Sequence, residues 1–101
     1  MTNIAGSEQK APTKAGIETA VINALSRTLR IPRGEIRLTS RLYEDLGLDS
    51  LGLIHVNIAV EEQLGGAISI GEAPEDELRI VEDVVNFVVA RLALRDQEVR
   101  S

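Results

Sequence analysis

The chain predicts an all-α fold: a small four-helix bundle of three longer helices and one short one, with a long loop between the first and second helices. Two observations carry this. Apolar residues recur at helical spacing in three separate stretches, with glycine and proline between them, and no pair of alternating segments could form a sheet. At 101 residues the chain suits one domain with a modest core.

The first 12 residues are polar and aperiodic, and read as a loose N-terminal arm. From Thr13 onward Ile17, Val21, Ala24, Leu25 and Thr28 fall on one stripe, so a helix is expected to end near Arg30, before Pro32 and Gly34. Residues 31–48 hold Ile36, Leu38, Leu42 and Leu46 too irregularly for one helix, and read as an ordered loop with apolar anchors. A second helix should start at Asp49 or Ser50 and run to Leu64, with Gly65 and Gly66 permitting a left-handed stop. It has two apolar faces: Val56, Val60 and Leu64 suit a core, while Leu51, Ile54 and Ile58 form a second stripe that can face a partner.

Pro74 with Glu75, Asp76 and Glu77 predicts a short helix whose acidic first turn suits the helix dipole. Val81, Val84, Val85, Val88 and Leu92 predict a last helix to about Leu94. The domain is therefore expected to span 13–94, with 95–101 as a flexible tail. "AISI" alternates, but it is too short for a strand and has nothing nearby to pair with.

Net charge is −5, and its distribution is uneven. Residues 26–41 carry Arg27, Arg30, Arg33, Arg37 and Arg41 against Glu35. Residues 42–66 carry Glu44, Asp45, Asp49, Glu61 and Glu62 with no lysine or arginine, and 72–83 hold six carboxylates against Arg79. Such acidity argues against nucleic acid and favours a basic protein surface as partner. No cysteine is present, so there is no disulfide framework and no thiol of the chain's own; this fits a reducing compartment, and a cytoplasmic location is expected. No signal-peptide pattern is visible, and no apolar run approaches the ~20 residues of a membrane span.

The stretch "YEDLGLDSLGLIHV", Tyr43 to Val56, crowds carboxylates and glycines ahead of Ser50. Asp-Ser before an apolar run is, at the least, helix N-cap chemistry. A calcium loop starting at Asp45 fails, because Ser50 stands where the invariant glycine belongs and Val56 where the bidentate glutamate belongs. A hydrolytic triad lacks a base: the sole histidine, His55, lies roughly 140° round the same predicted helix by the 3.6-residue repeat. A lone histidine is also a poor metal site. No metal ligand set and no catalytic residues are expected.

"EDLGLDSLGLIHVNIAVEEQLG" resembles the acyl carrier proteins, whose hallmark is Asp-Ser-Leu at the start of the second helix. "IVEDVVNFV" is similar to that family's last helix, and the likeness covers roughly Ile17 to Leu92. The resemblance implies a non-catalytic carrier. A phosphopantetheinyl transferase would use coenzyme A to attach 4′-phosphopantetheine to Ser50, flanked by Asp49 and Leu51. Acyl groups would ride as thioesters on that arm and be delivered to acyl-loading and acyl-processing enzymes. By the same resemblance Asp45, Ile54, His55, Ile58, Glu61 and Glu62 form the partner-binding set, and the protein is expected to act as a monomer.

Three positions depart from the family pattern and are expected on one face: Gly52, His55 where an acidic residue is common, and Asn57 in place of an apolar one. With the arginines of 27–41 they point to a polyketide-like or other specialised pathway. The alternatives are an aminoacyl or peptidyl carrier, or a carrier of general fatty-acid synthesis; an adaptor whose serine merely caps a helix is the non-carrier reading.

Overall fold

The computed structural model describes residues 13–65, 70, 73 and 75–100. Among them are three α-helices, α1 (Lys14–Leu29), α2 (Ser50–Leu64) and α3 (Val81–Arg100), with 3₁₀ turns at Arg33–Glu35 and Glu75–Glu77. The fold is all-helical as expected, but the fourth helix is a single 3₁₀ turn. Two backbone positions after Glu77, the chain is already hydrogen-bonded to the long loop, which leaves no room for a further turn. Pro74, expected to start that helix, and the "AIS" of residues 67–69 lie outside the described residues, as does the arm at 1–12. The β-type pairing among the described residues is one isolated bridge, Arg41 with Ile80.

Thr13 caps α1, its hydroxyl oxygen accepting the Gly16 N–H at 3.0 Å. The other end stops in a way that Pro32 and Gly34 did not announce. Arg30 adopts the left-handed conformation at φ 60°, and its N–H and that of Ile31 both reach the Ser26 carbonyl. The Ser26 hydroxyl then donates to the Ile31 carbonyl at 2.6 Å and closes the turn. α2 stops on Gly65, φ 72°, as the glycine pair predicts.

α3 runs on to Arg100, past the expected end near Leu94. The apolar stripe ends at Leu92, but a helix already nucleated adds one hydrogen bond per residue, and Arg95 to Arg100 include neither glycine nor proline.

α1 is the shared neighbour of the bundle, packing against both other helices. It lies antiparallel to α2: Gln63, near the end of α2, donates to the Ala20 carbonyl at 3.2 Å, while Leu29 approaches Gly52 at the start of α2. Ile17, Val21, Ala24 and Leu25 meet Val56 and Val60 of α2 and Val81, Val84, Val85 and Val88 of α3 in one core. The loop anchors Ile36, Leu42 and Leu46 are buried in the same cluster, and Leu38 packs on it half-exposed. Leu48, Ile70 and Leu78 complete the core, although no period marks them, because each is an isolated apolar residue between polar or glycine neighbours.

Leu42 is fully buried. Truncating it to alanine is expected to lower unfolding free energy in a urea titration by about 3 kcal/mol, the middle of the range for buried leucines. Leu51→Ala, on the exposed stripe, is expected to change stability by no more than ~0.5 kcal/mol. A loss at Leu42 as small as that expected at Leu51 would mean that the loop is not part of the core.

Candidate functional site

The approach to Ser50 is a folded loop. Turn hydrogen bonds run from the N–H groups of Asp45 and Leu46 to the Arg41 carbonyl and from Gly47 to Tyr43, and Gly47 takes φ 72°. A left-handed residue there lets the chain reverse so that the Leu48 N–H reaches the Leu42 carbonyl at 2.9 Å. Leu46 and Leu48 point into the core, while Asp49 and Ser50, where the helix begins, are exposed.

Asp45 stabilises this turn. Its carboxylate accepts the Arg41 backbone N–H at 2.9 Å and pairs with the Arg41 guanidinium at 3.2 Å. The backbone N–H and then the guanidinium bond hold the Asp45 carboxyl below the ordinary aspartate range. The stability it contributes is therefore present above the unfolded value and lost only as pH falls through the lowered one.

The capping role belongs to Asp49. Its Oδ1 accepts the Gly52 N–H at 2.7 Å, and its carbonyl accepts the Leu53 N–H at 2.8 Å. Among the described residues the Ser50 hydroxyl has no hydrogen-bond partner, and neither do the N–H groups of Ser50 and Leu51. An exposed, uncommitted hydroxyl therefore sits where two free N–H donors and the positive end of the helix dipole favour an anion. That arrangement fits a serine-linked phosphodiester.

Gly52 makes the geometry possible. It is buried, and a Cβ at this position would lie 3.0 Å from Asp49 Oδ1 and 3.1 Å from Leu48 Cδ1. A Cβ here would require the cap and the last loop anchor to give way by a few tenths of an ångström.

Leu51, Ile54, His55, Ile58 and Glu62 share one outward stripe at i, i+3, i+4, i+7 and i+11. The three apolar members are strongly exposed, Leu51 at 61 %, Ile54 at 53 % and Ile58 at 46 %. Glu61 stands beside the stripe and accepts the Asn57 side-chain amide at 2.9 Å. Asp45 is exposed but lies in the loop, tied to Arg41.

The three departures Gly52, His55 and Asn57 do not share a face. At roughly 100° per residue they point in different directions. Gly52 is turned into the packing beneath Asp49, His55 faces solvent, and half-buried Asn57 accepts the Ile70 N–H at 2.6 Å. Asn57 thus fastens the α2–α3 connection, a role that only the fold reveals. Among the described residues, no group of three or more metal-ligating side chains is found, and no helix is long and apolar enough to cross a membrane.

Asp49→Ala is expected to cost about 1 kcal/mol, the worth of a cap, while Ser50→Ala should cost less than half of that because its hydroxyl holds nothing. Gly52→Ala should lower stability by about 1 kcal/mol, since crowding against Leu48 and Asp49 outweighs the usual helix gain of alanine over glycine. Urea titrations check all three, and a more stable Gly52→Ala protein would mean that the close approach relaxes freely.

Residues 19–88 match the family model described as phosphopantetheine attachment site. The chain is also similar to curated acyl carrier proteins. It is 32% identical over 72 residues to one from Campylobacter jejuni, covering 71% of this chain and 86% of that protein. One from Campylobacter jejuni subsp. doylei is 31% identical over 64 residues, covering 63% and 80%. One from Campylobacter lari is 32% identical over 60 residues, covering 59% and 75%. The loop-presented helix start and these matches, which extend well beyond it on both sides, lead to one conclusion: the chain belongs to the acyl carrier protein family, carriers with a covalently attached 4′-phosphopantetheine.

Proposed function

We propose that Ser50 carries the 4′-phosphopantetheine and that the protein is a monomeric, non-catalytic, cytoplasmic carrier dedicated to a polyketide-like or other specialised pathway. The observation that carries the attachment reading is the unengaged Ser50 hydroxyl beside two unclaimed N–H groups, with capping left to Asp49. A phosphopantetheinyl transferase would form the phosphodiester from coenzyme A. The arm's thiol supplies the thioester chemistry that a chain without cysteine lacks. The protein's own residues hold the serine outward and leave donors for the phosphate.

Acyl-loading and acyl-processing enzymes then dock on Leu51, Ile54, His55, Ile58 and Glu62, with Glu61 and Asp45 as flanking charges. His55 supports a dedicated pathway, because it puts an imidazole at the centre of the exposed stripe where the family commonly has a carboxylate. A basic partner patch shaped for that carboxylate loses one attraction, which separates parallel pathways. Gly52 and Asn57 support it less, being engaged within the fold. The aminoacyl or peptidyl reading is the weaker one: Leu48 and Asp49 precede the serine, and the curated relatives are named acyl carrier proteins.

Incubation with coenzyme A, Mg²⁺ and a promiscuous transferase should add the mass of one phosphopantetheine, and Ser50→Ala should abolish the gain while remaining folded. Modification of the alanine variant would place the arm elsewhere. Loaded protein should be a poor substrate for general fatty-acid synthesis enzymes, and His55→Glu should improve it by about 1 kcal/mol in kcat/KM, the scale of a rim charge contact. Efficient turnover of the wild type, unchanged by His55→Glu, would remove the specialised-pathway reading.

A further inference from the structure

The acidic surroundings that the sequence assigns to Ser50 are only half of its environment. Because α1 and α2 are antiparallel, with Leu29 against Gly52, the end of α1 lies beside the start of α2. That end is basic: Arg27 in the last turn, Arg30 at the stop and Arg33 in the following 3₁₀ turn, which packs back on α1, are all exposed. Among the described residues none of the three forms an ion pair; the pair that does form is Arg41 with Asp45. So no ion pair among the described residues accounts for these arginines.

Arg30 gives independent support. It is the one described non-glycine residue with positive φ, at a helix stop where glycine is free of strain and an arginine is not. A chain selected only to end α1 gains from glycine there, so an arginine in that conformation points to use of its side chain. The guanidinium is a planar fork suited to carboxylates.

We propose that Arg27, Arg30 and Arg33 form a second docking patch, opposite in sign to α2, and that it fits an acidic protein surface beside the arm-entry site of an enzyme that serves this carrier. The inference rests on attachment at Ser50. A partner must then present both signs, acidic against the end of α1 and basic against α2. That two-signed match fixes the approach orientation, and a partner built for a uniformly acidic carrier lacks it. An anionic membrane is an extended surface of one sign that would also meet the carboxylates of α2, whereas an acidic protein segment can engage the arginine end alone.

The test uses a poly-L-glutamate peptide of about 20 residues as the acidic probe, vesicles containing phosphatidylglycerol as the membrane probe, and intact mass as the readout of loading. Wild-type protein should bind poly-L-glutamate at low salt despite its net charge and should not bind the vesicles. A variant with Arg27→Gln, Arg30→Gly and Arg33→Gln should lose at least tenfold in affinity for the peptide. Saturating peptide should slow phosphopantetheine loading of the wild type several-fold more than that of the variant, because the end of α1 lies beside the start of α2. Arg30→Gly alone should melt at the same temperature as wild type or higher, which keeps folding apart from docking. Undiminished peptide binding by the triple variant, no binding by the wild type, vesicle binding that depends on the arginines, or equal slowing of both proteins would each overturn the patch. Failure to load at all would count against Ser50 as the site, while the peptide affinities still decide the patch.

Discussion

The amino end of α3 is closed by the loop that precedes α2: the Val81 N–H donates to the Ser40 carbonyl and the Glu82 N–H to the Leu38 carbonyl, each within 3.0 Å. Helix N-termini leave four donors without partners, and here a distant segment supplies the acceptors. Asp83 adds its carboxylate to the N–H groups of Arg79 and Ile80, and the Leu42 N–H returns a bond to Arg79. The position of Ser50 depends on this seam. Leu42 is pinned to the strand-like entry of α3 from one side and receives the Leu48 N–H from the other, so the last turn before α2 is referenced to the whole bundle.

Periodicity exposed the helices because each must hide a stripe, and it exposed the anchors of the long loop because large apolar residues in an aperiodic segment need burial. It also separated the two faces of α2: Val56 and Val60 went inside, while Leu51, Ile54 and Ile58 stayed out. What periodicity cannot register is a contact set by one residue. Leu48, Ile70 and Leu78 enter the core singly, Arg30 ends a helix in a conformation that propensity assigns to glycine, and Asn57 is satisfied by a backbone group thirteen residues away. The charge map misleads for a related reason. Counting along the chain makes Ser50 acidic throughout, whereas antiparallel packing sets the arginine end of α1 beside it.

Local chemistry at the helix start was legible in outline, since Asp and Ser are both capping residues, but sequence alone does not divide the labour between them. The backbone does. Asp49 is extended at φ −128°, so its side chain can turn back to the Gly52 N–H, while Ser50 has already entered the helix. Gly52 then removes the steric obstacle to that short bond. The consequence is a division in which the residue that must stay intact for stability is not the one proposed to be modified. A serine that served as cap would lose helix stability on every modification; one held outward by its neighbour can be esterified without disturbing the turn beneath it.

The same economy shapes the proposed docking stripe. Leu51, Ile54 and Ile58 are already 46–61 % exposed, so a partner can cover only about half of each side chain's surface. At about 1.5–3 kcal/mol for complete burial of such a residue, the three together contribute on the order of 2–5 kcal/mol, less than the upper range of the rigid-body cost of association. Apolar contact alone therefore does not hold a long-lived complex, which suits a carrier that visits successive enzymes. Charge supplies what the stripe lacks. Exposed pairs add little equilibrium affinity but raise the encounter rate and fix orientation, so Glu62 and the neighbouring carboxylates can speed delivery without slowing release. On the proposed docking stripe, a histidine in place of another carboxylate would change which partners are steered in while leaving the weakness of the apolar contact intact.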